Sequence, residues 1–144
     1  MEDRLSALYH GIILEHNRAP QYFEKRPAAQ FAVEAYNPVC GDKFTIYLDA
    51  EAGAIARATF HGYGCAVSKA STSVLMKKIQ GLPFATVQAL IATFFAETGF
   101  RNDLPVGRPD PEMEAFAPVK NFPGRLTCVT LSWQALSDFL KNDV

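Results

Sequence analysis

The apolar positions at the start of the chain recur every three or four residues, as they do on one face of a helix. Leu5, Leu8 and Ile12 fall on this face, which predicts a helix over about 4–17. The same period returns after Gly64 and predicts three more helices, over about 66–80, 84–99 and 129–141.

Between these helical stretches the period of the pattern shortens to two. Phe44, Ile46 and Leu48 alternate with more polar residues, as in a strand with one buried face. Two more short strands are predicted beside it, with turn residues between them (strands 31–36, 43–48 and 54–60; turns at 37–38 and 49–53). This order predicts an α+β fold, in which a three-stranded antiparallel sheet carries its helices on one face.

Length, composition and charge narrow the class of protein. The 144 residues fit a single domain over 1–144, and an apolar content of 49% supplies a sizeable core. A formal net charge of −1 offers no excess of basic residues for binding nucleic acid.

Gly81 and Pro83 break the longest uncharged run, 79–96, which argues against a membrane span. Residues 1–4 show no secretory signal, so we expect a cytoplasmic protein without nucleic-acid or membrane partners.

The three cysteines fall at junctions between predicted elements. Cys40 lies in the first turn, Cys65 ends a glycine-rich stretch, and Cys128 lies just before or within the first turn of the last helix. Because an odd number cannot pair fully in a monomer, a disulfide framework is not expected. A helix N-terminus would favour the thiolate at Cys65 and Cys128. Gly62 and Gly64 would let the backbone approach a metal or a partner closely.

Asp42 lies two residues after Cys40 and can bring a carboxylate to the same centre. Three thiolates and one carboxylate make four ligands, the number that suits tetrahedral zinc or an iron–sulfur cluster. The spacing alone leaves one alternative equally open, that the three cysteines are unrelated residues at loop ends, since no C-x-x-C pair is present. For Asp42 the alternative to a ligand is an ordinary turn residue.

Three segments around the cysteines carry a family resemblance. They are Tyr36–Asp42 (YNPVCGD), Gly62–Ser71 (GYGCAVSKAS) and Arg125–Trp133 (RLTCVTLSW). In this order they resemble the three cysteine motifs of the iron–sulfur assembly scaffold family, which comprises the IscU, NifU N-terminal and SufU proteins. The segment from Leu8 to Pro20 is similar to the opening helix of that family.

Two features are similar to the SufU branch of this family. The interval between Cys65 and Cys128 is long, with an apparent insertion at about 101–118. Thr127 stands where IscU-type scaffolds carry a histidine ligand.

The resemblance to SufU proteins implies a metal and a reaction. It implies a zinc ion bound by Cys40, Asp42, Cys65 and Cys128. It also implies that persulfide sulfur is transferred from a PLP-dependent, SufS-like cysteine desulfurase toward a downstream iron–sulfur scaffold complex. In the mechanism proposed for the family, a desulfurase histidine replaces one cysteine on the zinc and the freed thiol takes the sulfur. By position Cys40 is the first choice for this acceptor, and Cys128 is the second.

Two alternative functions use the same ligands. One is a scaffold that assembles a labile, transient iron–sulfur cluster, and the other is a binding module with purely structural zinc. His61 precedes Cys65 by four residues, and we expect it to cap the strand end rather than bind metal. For His16, on the apolar face of the first helix, we expect packing or a helix-end hydrogen bond rather than ligation.

Overall fold

The computed structural model describes residues 2–100 and 111–142, with side chains from His10 onward. Its helices and strands are α1 (Glu2–Arg18), β1 (Phe31–Asn37), β2 (Asp42–Glu51), β3 (Ala54–Tyr63), α2 (Ala66–Ile79), α3 (Phe84–Thr98), α4 (Pro111–Glu114), a 3-10 helix (Ala117–Asn121) and α5 (Pro123–Asn142). The predicted α+β class is confirmed. The first ten residues of the apparent insertion at about 101–118 lie outside the described residues, and Pro111 begins α4.

The three strands form an antiparallel meander in the order β1-β2-β3, as the sequence predicts. The predicted turn at 49–53 is too long, because β2 continues to Glu51 through an irregularity in register at Asp49 and Ala50. Ala52 and Gly53 alone make the turn, with φ values of 52° and 77°. This left-handed pair matches the twist of a two-residue hairpin, and it joins β2 to β3 directly after the pair Glu51–Ala54.

The buried face of the sheet packs against α2 and α5, and the core lies between these layers. The Phe94 ring stacks on Trp133, with centroids 3.7 Å apart and an angle of 5° between the ring planes. The Trp133 indole N–H donates to Ser71 Oγ at 2.8 Å, so this large residue is buried with its polar atom satisfied. Within the described ranges, no helix is long and apolar enough to cross a membrane.

The last helix begins earlier than the apolar pattern predicts. It starts at Pro123, so Cys128 lies in its second turn and not before or within the first. Proline suits the first helical position, because its missing N–H falls where a helix has no internal partner. Pro123 and Gly124 are typical of loops, which explains why the apolar pattern does not show the first turn.

A polar cluster around His16 joins α1, α2 and α4. His16 is buried, with Nδ1 2.7 Å from Ser73 Oγ and Nε2 2.6 Å from Glu112 Oε2. Lys77 and Lys78 also donate to the Glu112 carboxylate, at 3.0 and 2.8 Å. His16 is packed in the interior as expected, but its hydrogen bonds run to α2 and α4 rather than to the end of its own helix.

Candidate metal centre

The loop between β1 and β2 presents Cys40 at its tip. Asn37 is buried, its Oδ1 accepts from the Val39 N–H at 3.0 Å, and its carbonyl accepts from the Gly41 N–H at 2.8 Å. Gly41 takes the left-handed conformation that closes the loop, with φ of 79°. Cys40 itself is exposed. The sequence predicts a turn at 37–38, whereas Asn37 is the last residue of β1 and its side chain binds the backbone two residues on, as Asn commonly does at turns.

Asp42 is the first residue of β2 rather than a solvent-facing turn residue. It is only 3% exposed, and its Oδ1 accepts the Cys65 N–H at 3.0 Å. Among the described residues, no lysine or arginine pairs with this carboxylate. A buried carboxylate is costly without a cation or strong hydrogen bonds, so the position suits a bound metal ion.

Cys65 is the N-cap residue of α2. Its Sγ accepts from the Ser68 N–H at 3.4 Å and lies 3.9 Å from Asp42 Oδ2. The free N–H groups and the dipole at this helix end stabilise negative charge on sulfur. The prediction that Cys65 lies at a helix N-terminus is confirmed.

Two glycines before Cys65 let β3 and the following residues pass close to β2. Gly62 has φ of 145°, and a Cβ there would lie 2.2 Å from the Lys43 carbonyl oxygen. A Cβ on Gly64 would lie 2.8 Å from the Phe44 ring and 3.0 Å from Asp42 Oδ1. The close approach predicted from these glycines is therefore to the sheet and the Asp42 carboxylate of the same chain.

Cys128 faces the same site from the second turn of α5. It is buried, and its Sγ lies 3.6 Å from Cys40 Sγ and 3.8 Å from the Gly124 carbonyl oxygen. Burial, followed by hydrogen bonds to Cys40 and Asp42, raises the pKa of the Cys128 thiol to about 12. The expectation that the helix dipole favours a thiolate here is wrong, because the sulfur faces the Gly124 carbonyl oxygen rather than free N–H groups.

The fold brings three of the predicted ligands into one group and places the fourth beside it. The ligand atoms of Cys40, Asp42 and Cys128 all lie within 4.8 Å of one another, and Cys65 Sγ lies outside that group, 3.9 Å from Asp42 Oδ2. Thiolates and a carboxylate are donors that zinc accepts, so the side chains fit the metal. His61 lies outside this group and packs on Phe23 instead, with ring centroids 4.6 Å apart.

Comparison with known proteins gives the same family as the three motifs. Residues 8–127 match the NifU-like N terminal domain. The chain is 31% identical to an iron–sulfur cluster assembly scaffold protein IscU of Thermotoga maritima, covering 93% of each chain. It is 29% identical to the zinc-dependent sulfurtransferase SufU of Bacillus subtilis, covering 92% of this chain and 88% of the relative.

A solved structure extends this similarity to the fold. It is described as a scaffold protein of iron–sulfur cluster assembly for the SUF system, from Fervidobacterium islandicum AW-1. The two chains superpose with a TM-score of 0.77 at 26% identity, covering 93% of this chain and 97% of the other. The chain therefore belongs to the NifU-like N-terminal domain family, the family of the IscU and SufU scaffold proteins of iron–sulfur cluster assembly.

Proposed function

We propose that this protein is a zinc-dependent sulfur acceptor in iron–sulfur cluster assembly. Cys40, Asp42, Cys65 and Cys128 would hold zinc, and Cys40 would accept persulfide sulfur from a PLP-dependent cysteine desulfurase. The observation that carries the proposal is the unequal exposure of the site. Cys40 is exposed at the loop tip, whereas Asp42 is 3% exposed and Cys128 is 5% exposed.

A bound zinc ion would keep the thiolates deprotonated without redox chemistry of its own and would allow its ligands to exchange. The reaction at Cys40 is then a thiolate displacement. The Cys40 thiolate attacks the outer sulfur of the donor persulfide, a new S–S bond forms to Cys40 Sγ, and the donor S–S bond breaks. The donor cysteine leaves as a thiolate with the electron pair, so the transfer needs no oxidant or reductant.

Access favours Cys40 over Cys128 as the acceptor. The attacking thiolate must reach the outer sulfur of the donor persulfide along the line of the S–S bond that breaks. Cys40 lies beside Val39, which is 94% exposed, at a loop tip that a partner protein can approach from solvent. Cys128 is buried within α5 and remains the second choice.

Exposed aromatic side chains beside the loop support a protein partner. Tyr36 and Tyr63 are 55% and 65% exposed, and both are cross-strand neighbours of Lys43 on the open face of the sheet. Exposed tyrosines are common in protein interfaces. We propose that the desulfurase docks over this end of the sheet and that sulfur then passes to a downstream scaffold complex. Three free thiols fit the reducing cytoplasm.

A scaffold that assembles an iron–sulfur cluster on the same ligands is the second candidate, supported by the names of the IscU relatives. Visible absorption from thiolate-bound iron in an anaerobic preparation would favour this candidate, whereas one zinc per chain without iron would oppose it. A purely structural zinc site is less well supported, because such sites are closed and Cys40 is exposed.

The test is to add the zinc-loaded protein to a cysteine desulfurase and measure alanine release. We expect the wild type to raise the rate and Cys40→Ala to abolish the increase. Thr127→Ala is the matched control, because Thr127 is exposed beside Cys128 and outside the ligand group. An unchanged rate with wild type, or an equal increase with Cys40→Ala, contradicts the proposal.

A further inference from the structure

Ser68 carries a buried hydroxyl without a hydrogen-bond partner among the described residues. The residue is 0% exposed. A buried hydroxyl that makes no hydrogen bond is unfavourable. Because the Ser68 N–H contacts Cys65 Sγ, an atom of the candidate metal centre is a candidate for the missing partner.

The backbone places Ser68 next to a predicted metal ligand. Ser68 is the third residue of α2, and its own N–H donates to the Sγ of the N-cap residue Cys65 at 3.4 Å. This helix position lies on the side of the N-cap residue, where the longer Glu or Gln of a capping box reaches back to the N-cap backbone.

The next turn of α2 shows which helix packs against the side of α2 that carries Ser68. Ser71 Oγ donates to the Val129 carbonyl at 2.6 Å, and Thr72 Oγ1 lies 2.7 Å from Ser132 Oγ. Residues three and four apart share one helix face. Ser68 therefore lies on the face of α2 that packs against α5, at the end of α2 where the cysteines meet.

We propose that Ser68 is a positioning residue whose hydroxyl donates a hydrogen bond to the Cys65 thiolate when the metal site is loaded. The inference rests on the metal site of the proposed function. Cys65 would then receive two donors from one residue, the N–H and the O–H of Ser68. Hydrogen bonds to ligand atoms orient them and tune the metal site, and donors spread the excess negative charge of three thiolates and a carboxylate.

The proposal predicts opposite effects in the two states of the protein. In the metal-free protein, Ser68→Ala removes a hydroxyl without a partner, so the thermal midpoint should stay the same or rise. In the loaded protein the same change removes a donor to a charged sulfur, so metal affinity should fall. A hydroxyl with only a structural role would lower stability in both states.

The experiment compares wild type, Ser68→Ala and the control Ser71→Ala. Ser71 Oγ bonds to both Val129 and Trp133, so its removal should lower the thermal midpoint of the metal-free protein. Zinc affinity is measured by competition with a chelator, and the thermal midpoint is measured without metal. The sulfur-to-cobalt charge-transfer band of the Co²⁺-substituted protein reports the hydrogen bond to sulfur directly.

For Ser68→Ala we expect zinc affinity to fall by about tenfold, a shifted cobalt band and no loss of metal-free stability. Unchanged affinity and an unchanged band in a variant of a zinc-binding wild type overturn the role of Ser68 alone. A lower thermal midpoint with an unchanged cobalt band also overturns it, in favour of a packing role. Failure of the wild type to bind zinc overturns the metal site itself and this inference with it.

Discussion

The backbone N–H of Cys65 donates a 3.0 Å hydrogen bond to Asp42 Oδ1, and this bond joins the start of α2 to the start of β2. It holds two of the four candidate ligands side by side. The other two ligands differ in exposure, since Cys128 is buried in α5 and Cys40 lies on an exposed loop. The site therefore combines three ligands that are buried or half-buried with one ligand, Cys40, that solvent and a partner can reach.

Asp42 should contribute both a hydrogen-bond acceptor and a negative charge. Asp42→Asn keeps an oxygen that can accept the Cys65 N–H but loses the charge, so we expect normal folding and a zinc affinity at least about tenfold lower. Asp42→Ala also leaves the N–H without its acceptor and should lower the free energy of unfolding by about 1–3 kcal/mol. Chelator competition and urea denaturation measure the two effects. Zinc affinity at the wild-type level in Asp42→Asn would exclude this carboxylate as a ligand.

Gly64 should be intolerant of a side chain because of the space that Asp42 and Phe44 occupy. The Cβ of Gly64→Ala would lie 2.8 Å from the Phe44 ring and 3.0 Å from Asp42 Oδ1. We expect a loss of about 1–3 kcal/mol in the free energy of unfolding, together with weaker zinc binding. Gly124→Ala is the control, since nothing lies within 4 Å of its added Cβ in α5. Equal stability of the two variants would show that the sheet can move away from Gly64.

Glu112 should stabilise the fold in a manner that depends on pH. Partial burial raises the pKa of this carboxyl, but hydrogen bonds from Lys78, His16 and Lys77 outweigh burial and lower it from 4.5 to about 2. Because the folded pKa lies below the unfolded one, the stabilisation is present above pH 4.5 and is lost as the pH falls toward 2.

The variant Glu112→Gln tests this dependence. At neutral pH we expect it to lower the free energy of unfolding by about 2 kcal/mol, and the difference from wild type should shrink as acid protonates Glu112. Glu15→Gln is the surface control, because Glu15 pairs with Arg18 in solvent and should contribute little. A difference between Glu112→Gln and wild type that stays constant from neutral pH into acid refutes the linkage.

The three cysteines should differ in reactivity toward an alkylating reagent in the metal-free protein. Cys40 is exposed, whereas Cys128 is buried and has its pKa raised to about 12. Since the thiolate is the reactive form, iodoacetamide at mildly alkaline pH should modify Cys40 first and Cys128 last. Peptide mass spectrometry over a time course gives the order, and early modification of Cys128 would contradict the buried position.

Sequence patterns predicted most of the fold because each pattern had a local physical cause. The alternation at Phe44, Ile46 and Leu48 reflects one buried face of β2, and these residues are at most 1% exposed. The first turn of α5 was not predicted because Pro123 and Gly124 lower helix propensity, while packing and the position of proline at the helix start compensate. Local sequence could not show this, since the compensation comes from the fold.

The candidate ligands were predicted from the residues that flank them, but their geometry was not. The sequence contains no sign that Asp42 would accept the Cys65 N–H, because the two residues meet only when β2 and β3 pair. The raised pKa of Cys128 likewise depends on burial by other elements. The prediction for a helix dipole at Cys128 failed because it needed the correct start of α5.

The most direct test of the central claim is mass spectrometry of the protein after reaction with a cysteine desulfurase and cysteine. The zinc-loaded protein is alkylated anaerobically and digested, and the mass of the peptide that carries each cysteine is measured. The account predicts the mass increase of one sulfur atom on the Cys40 peptide, and no such increase when zinc has been removed. Sulfur on the Cys128 peptide alone, or none on any cysteine while alanine is released, would contradict it.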